Sequence, residues 1–270
     1  MKLIELRKDL KNKFESNNIE VEDVDFIISE ILNIKRTELL FVDKISNEQL
    51  EKIEKCAELR LNNVPVDKIF KKAYFYGLEF KVDENVLTPR SESEILVEKA
   101  IQYIQNNNYK TALDLCTGSG CLAISIKLNC EIEMTASDIS TKALSVAKHN
   151  AEKNNAKIQF IHSNMFEKIQ ESYDIIISNP PYIDTDEIKD LDLEVKEHDP
   201  HIALDGGEMG LKFYNIIHDN LRKHLNDDGI IVMEIGDEQK ELIISLFNDF
   251  NLVESLKDLS GNDRVLIFKK

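Results

Sequence analysis

Apolar positions recur with two periods along this chain, and the change from one to the other divides it. Up to residue 72 the period is helical. Ile4, Leu6, Leu10 and Phe14 follow roughly helical spacing, as do Val24, Ile27, Ile28, Ile31 and Leu32 in a second run. A third helix is expected from Ser46, with Glu48 and Glu51 early and Leu50, Ile53, Ala57 and Leu61 along it. Asn62-Asn63-Val64-Pro65 ends it, because the residue before proline resists helical dihedrals. Residues 1–72 therefore read as a small helical domain.

Residues 73–77 and 78–82 are rich in aromatic and β-branched side chains and predict a short hairpin, followed by a turn at Asp83-Glu84-Asn85. Residues 73–90 read as a hairpin linker, with Tyr74, Phe75 and Tyr76 expected in the core. Ser91 is expected to cap the next helix with Glu94 completing a capping box, and Ile95, Leu96, Ala100, Ile101 and Ile104 form its apolar face. Beyond residue 109 strands and helices alternate. Strands are predicted at 111–115, 132–137, 158–162, 173–178 and 229–235, with helices near 120–128, 140–153, 211–225 and 237–249. That order predicts a mostly parallel sheet covered on both faces. Strands at 252–256 and 264–268 have only a turn-rich stretch between them, which predicts a terminal antiparallel hairpin. Residues 91–270 thus predict an α/β, Rossmann-like domain.

Composition narrows the function. Apolar residues make up 42% of the 270, enough for a packed core. The formal charge of −16 argues against binding nucleic acid through a broad basic surface, while leaving a basic protein partner open. The charge is uneven: residues 1–80 carry 14 basic and 16 acidic side chains, residues 81–270 carry 20 and 34. Residues 184–208 alone hold ten acids and two lysines. No run approaches the ~20 apolar residues of a membrane span, and early charges break any signal-peptide stretch. Cys56, Cys116, Cys121 and Cys130 form no CxxC pair and no zinc spacing with the histidines. They read as reduced, buried thiols of a cytoplasmic protein with no metal site.

Candidate chemistry gathers where strands end. Asp114-Leu115-Cys116-Thr117-Gly118-Ser119-Gly120 joins the first strand of the alternating region to its helix, and glycines there let backbone approach a ligand closely. Asp138 ends the next strand, near the offset expected for a carboxylate that holds ribose hydroxyls. Gly118-Ser-Gly120-Cys-Leu-Ala123 also fits a dinucleotide fingerprint, so an NAD-dependent oxidoreductase is a rival. Asp114 and the terminal hairpin favour S-adenosylmethionine (SAM).

Asn179-Pro180-Pro181-Tyr182 closes the strand at 173–178 on the same sheet edge. A planar amide or aromatic NH2 is a poor nucleophile because its lone pair is delocalised. Two acceptors gripping its N–H bonds, the Asn179 side-chain oxygen and the Pro180 carbonyl, aim that lone pair at a methyl donor. The prolines stiffen the loop, and the Tyr182 ring can stack on the flat group.

With these motifs the sequence resembles the HemK/PrmC family, the glutamine methyltransferases of peptide-chain release factors. The carrying segments are residues 75–80 (FYGLEF), 89–94 (PRSESE), 114–120 (DLCTGSG), 137–140 (SDIS), 178–183 (SNPPYI), 234–236 (EIG) and 258–264 (DLSGNDR). The resemblance implies SAM as donor, S-adenosylhomocysteine as product, and the GGQ-motif glutamine of a release factor as acceptor. It implies cofactor contacts at Cys116, Thr117, Gly118, Ser119, Gly120, Asp138, Ile139, Met165 and Asn179. It implies acceptor contacts at Leu87, Asn179, Pro180, Pro181 and Tyr182, with Asn179, Pro180 and Tyr182 catalytic. The helical domain would help position the protein substrate, and the enzyme is expected to act as a monomer without contacting nucleic acid directly. Asn164 stands where the family commonly has Asp, and Ser91 and Ser93 where it commonly has Pro and Thr. Glutamine methyltransferases of ribosomal proteins, and amino-methyltransferases of adenine or guanine, share the Asn-Pro-Pro-Tyr device and are the alternatives.

Overall fold

The computed structural model describes all 270 residues, in two compact units, Met1–Lys72 and Ala73–Lys270. The first unit holds helices α1 (Leu3–Ser16), α2 (Glu22–Leu32), α3 (Asn47–Leu61) and α4 (Val66–Phe70), with a 3-10 turn at Arg36–Phe41. Leu3, Leu6, Leu10 and Phe14 bury one stripe of α1 against Val24, Ile27 and Ile28 of α2 and Ile53 and Ala57 of α3. Ile4 is instead exposed, since one helical step carries it off the stripe that Leu3 begins. The start of α3 is a capping box: the Ser46 hydroxyl accepts from Gln49 N (3.1 Å) while Ser46 N donates to the Gln49 side chain (2.9 Å).

The second unit opens with a hairpin of β1 (Lys72–Phe75) and β2 (Leu78–Lys81). Tyr76 and Gly77 both have positive φ (50° and 73°), the two-residue turn whose twist suits a hairpin. Alternation along β1 buries Phe75 and leaves Tyr74 exposed, so only part of the expected aromatic core is core. The expected capping box at Ser91 does not form. Ser91–Ser93 is a 3-10 turn before α5 (Glu94–Asn107), and the Glu94 carboxylate accepts from Tyr76 N at 2.7 Å, tying α5 to the hairpin instead.

The main sheet has seven strands: β3 (Thr111–Leu115), β4 (Glu133–Asp138), β5 (Gln159–His162), β6 (Tyr173–Ser178), β7 (Leu225–Glu234), β8 (Asn251–Lys257) and β9 (Asp263–Lys269). Their order is β5-β4-β3-β6-β7-β9-β8. The first five pair in parallel, while β9 runs antiparallel between β7 and β8. Alternate residues face opposite layers. Ala112, Ile175, Ile177, Ile230 and Val232 pack with α5 and with α6 (Cys121–Asn129). Leu113, Ile176, Ile231 and Met233 pack with α9 (Lys212–His224) and α10 (Lys240–Leu246). Helices α7 (Thr141–Lys153) and the short α8 (Leu193–His198) complete the unit. The helix predicted over 237–249 is only seven residues long, because Glu238 has φ 64° and Gln239 turns back to accept from Gly236 N at 2.9 Å.

Candidate active site at the carboxyl edge of the sheet

The chain reverses direction across the sheet at β3, which has β4 on one side and β6 on the other. Open α/β sheets bind ligands at the carboxyl ends of strands beside such a point. Here the loops after β3, β4, β5 and β6 line a cavity of about 360 Å³, together with residues 85–90, 200–203 and part of α9.

The loop after β3 is held from below by Asp114. Its buried carboxylate accepts from the Thr117 hydroxyl (2.5 Å) and from Ala123 N (3.2 Å). Burial pushes its pKa up to about 7, and those two bonds pull the other way. Its second oxygen, Oδ1, has no partner. The two glycines of the loop do different work. A Cβ on Gly118 (φ 53°) would meet nothing within 4 Å, so the loop is open there. A Cβ on Gly120 (φ 82°) would lie 3.1 Å from Ala147 Cβ, so Gly120 permits α6 to pack on α7. Cys116, Thr117, Gly118 and Ser119 line the cavity and Gly120 does not.

Asp138 ends β4 at the cavity wall, followed by the exposed Ile139. Its carboxylate accepts from Gly118 N (2.9 Å) and Ser140 N (2.8 Å), joining two loops, and burial raises its pKa against those bonds. After β5, the Ser163 hydroxyl donates to Met165 O (2.8 Å) and accepts from Lys168 N (3.0 Å). These bonds hold Met165 at φ 46° with its sulfur 3.6 Å from Cys116 Sγ. Cys116 also has positive φ, 65°, which is uncommon outside glycine and here falls at the cavity. The Asn164 side chain donates to Glu167 (2.7 Å) at the same wall.

The loop after β6 brings Asn179 and Pro181 to the cavity, with Leu87 among the lining of the opposite segment. Asn179 Nδ2 donates to Ser93 Oγ at 3.4 Å. Pro180 is buried, and neither it nor Tyr182 is among the lining residues, contrary to the expectation that both face the acceptor. The Tyr182 hydroxyl instead donates to Glu234 Oε1 (3.4 Å), and its carbonyl accepts from Gln239 Nε2 (2.7 Å). Gly206 and Gly210 press on its backbone: a Cβ on Gly210 would fall 1.9 Å from Tyr182 O. Burial and the neighbouring Glu234 both raise the Tyr182 pKa.

The acidic stretch 184–208 flanks this cavity, to which it contributes Pro200, Ile202 and Ala203. It is anchored by Asp199, which accepts from Thr88 N (3.3 Å) and from Arg90 (2.9 Å). All four cysteines are unpaired and half-buried rather than buried, two of them because they line the cavity. Burial raises the Cys116 pKa and pushes Cys121 up to about 12, so neither is a thiolate nucleophile near neutrality. No group of three or more His, Cys, Asp or Glu side chains is placed to hold a metal ion. No helix is long and apolar enough to cross a membrane.

Sequence reasoning gave no role to Ser93, Glu234, Asp199 or Gln239. Glu234 carried a signal, being a single charge that ends the apolar run Ile230 to Met233. Asp199 carried none, as one acid among ten.

Comparison with known proteins places this arrangement. The family described as Methyltransferase small domain matches residues 92–211, and the one described as PrmC N-terminal domain matches residues 5–70. A methyltransferase structure from Pyrococcus furiosus shares the fold with a TM-score of 0.56 at 18% identity, covering 79% of this chain and 98% of that one. The family match and the curated relatives that follow make the protein a methyltransferase. A release factor glutamine methyltransferase of Thermodesulfovibrio yellowstonii is 39% identical, over 100% of this chain and 99% of its own. Those of Clostridium acetobutylicum (39%, over 92% and 90%) and Streptococcus pneumoniae (34%, over 99% and 98%) are similarly close. The chain belongs to the release factor glutamine methyltransferase family.

Proposed function

We propose that this protein methylates the side-chain amide nitrogen of the GGQ-motif glutamine of peptide-chain release factors, with SAM as donor. The observation that carries the reading is the placement of Asn179 and Pro181 in one cavity with the loop of Gly118 and with Asp138. The residues fit SAM. Asp114, buried beneath the loop and outside the cavity lining, holds the loop's shape through Thr117 and Ala123. The space over Gly118 is open. An ionised Asp138 has lone pairs beyond the two it uses, enough for ribose hydroxyls. Ile139 and Met165 offer apolar surface to a base.

SAM, when bound, supplies an electrophilic methyl group and leaves as S-adenosylhomocysteine. The chain's own part is orientation. Asn179 Oδ1 and the Pro180 carbonyl each accept one N–H of the glutamine amide, turning its nitrogen lone pair toward the methyl carbon. Leu87 and Pro181 exclude water beside it. No residue needs to act as base beforehand, because the nitrogen becomes acidic as the methyl bond forms. The Tyr182 ring stands off the cavity lining, with its hydroxyl donating to Glu234 Oε1, and so supports the loop from behind.

Residues 1–72 serve as the recognition domain for the protein substrate, and the enzyme works as a cytoplasmic monomer. The acids of 184–208 draw in the GGQ domain, whose surface meets ribosomal RNA and is therefore basic. Labelled SAM incubated with candidate release factors, followed by mass spectrometry, tests the reading. The methyl is expected on the GGQ glutamine, and transfer is expected to vanish in Asn179→Ala while its melting temperature stays. A methyl on a ribosomal protein or on nucleic acid, or calorimetric binding of NAD without SAM, would overturn it.

A further inference from the structure

Glu234 is 2% exposed at the end of β7, where a carboxylate needs partners to be tolerated. It finds them at both ends of the Asn-Pro-Pro-Tyr loop. Its Oε1 accepts from the Tyr182 hydroxyl (3.4 Å), and its Oε2 accepts from Ser93 Oγ. Ser93, 3% exposed, in turn accepts from Asn179 Nδ2 at 3.4 Å. One side chain thus reaches Asn179 through a hydroxyl and Tyr182 directly.

The direction of these bonds matters. A primary amide presents an oxygen on one side and an NH2 on the other, and a half-turn exchanges them. Exchange at Asn179 would set donor against donor when an acceptor amide arrives. A serine hydroxyl has one hydrogen. An ionised carboxylate can only accept, so Glu234 takes that hydrogen. The Ser93 lone pairs are then left for Asn179, whose NH2 must point at them. Burial pushes the Glu234 pKa up to about 7, while the Ser93 bond and the Arg264 guanidinium pull toward the ionised form, so this ordering holds above that pH.

We propose that Glu234 and Ser93 are positioning residues that fix the Asn179 amide with Oδ1, rather than Nδ2, toward the acceptor nitrogen. The proposal rests on the reading that Asn179 grips the acceptor amide, and it adds what sets the direction of the grip.

The test compares Ser93→Thr with Ser93→Val, which match in shape and differ in the hydroxyl. Steady-state methylation of the release factor is measured with each. We expect S93V to lose about tenfold in kcat, with a smaller change in KM, as for a lost hydrogen bond that acts through geometry. We expect S93T to recover most of that loss. Equal kcat in the two variants overturns the proposal. Ser93→Ala supplies a smaller replacement if the branched side chains do not fold, and wild-type kcat in S93A overturns the proposal equally. Asn179→Ala, run alongside, separates the two levels. A fully active N179A would remove the grip itself, whereas an inactive N179A beside equal S93V and S93T removes only the positioning role.

Discussion

At the scale of single residues, the two glycines of the loop after β3 show how one motif hides two jobs. Sequence places Gly118 and Gly120 together, and only the packing tells them apart. Gly118→Ala should fold with a loss of about 1–2 kcal/mol from its left-handed backbone, and should weaken SAM binding in calorimetry by filling the open side. Gly210→Ala should do worse. Its new methyl would overlap Tyr182 O and push on the Asn-Pro-Pro-Tyr loop, so kcat should fall with SAM affinity largely kept. Asp114 gives a pH prediction. Its ordinary pKa of 3.8 rises to about 7 in the folded state, so folding takes up a proton between those values. Stability from this group is complete below the lower value and is lost as pH rises through the upper one. Asp114→Asn should therefore raise the melting temperature of the ligand-free protein more near about pH 8 than near about pH 5, while weakening SAM binding. An equal shift at both would show that the carboxyl does not titrate in this range. The placement of Gly118, Asp138 and Asn179 at the cavity was readable because strand ends and loop residues advertise themselves. The Ser93 link was not, because it joins positions 86 residues apart through a hydrogen bond.

At the scale of elements, strands β3 and β6 were legible almost to the residue, since both are buried runs bounded by polar turns. The last helix was not, because the backbone of residues 236–239 curls to seat Gln239 under Tyr182. That is a tertiary demand with no local signature. The acidic stretch 184–208 was legible only as charge, while its one buried acid, Asp199, anchors it to Thr88 and Arg90. Two consequences differ accordingly. Neutralising exposed acids such as Asp186, Glu187 and Glu197 should slow association with the release factor several-fold at low salt and flatten its salt dependence in stopped-flow, with the melting temperature little changed. Unchanged kinetics would leave the stretch a solvated surface only. Asp199→Ala should instead leave a buried site unpaired and loosen the cavity wall, so SAM affinity should fall in calorimetry.

At the scale of the whole molecule, the two compact units meet in sequence where the hydrophobic period changes. Residues 73–270 alone contain every lining residue of the cavity. This fragment should bind SAM with unchanged affinity and methylate an intact release factor much more slowly than the full chain. Equal rates would deny residues 1–72 a part in recognition. Sheet order has a further bearing, on how the protein is made. β9 follows β8 in the chain yet lies inside it in the sheet, against β7. While residues beyond about 262 are still within the ribosome, β7 therefore waits with an unpaired apolar edge, and Glu234 waits with it. Synthesis must run through β9 before the strand that carries Glu234 is sealed, so the enzyme gains its competence late in its own translation, and chains stalled short of β9 are the form most prone to aggregate.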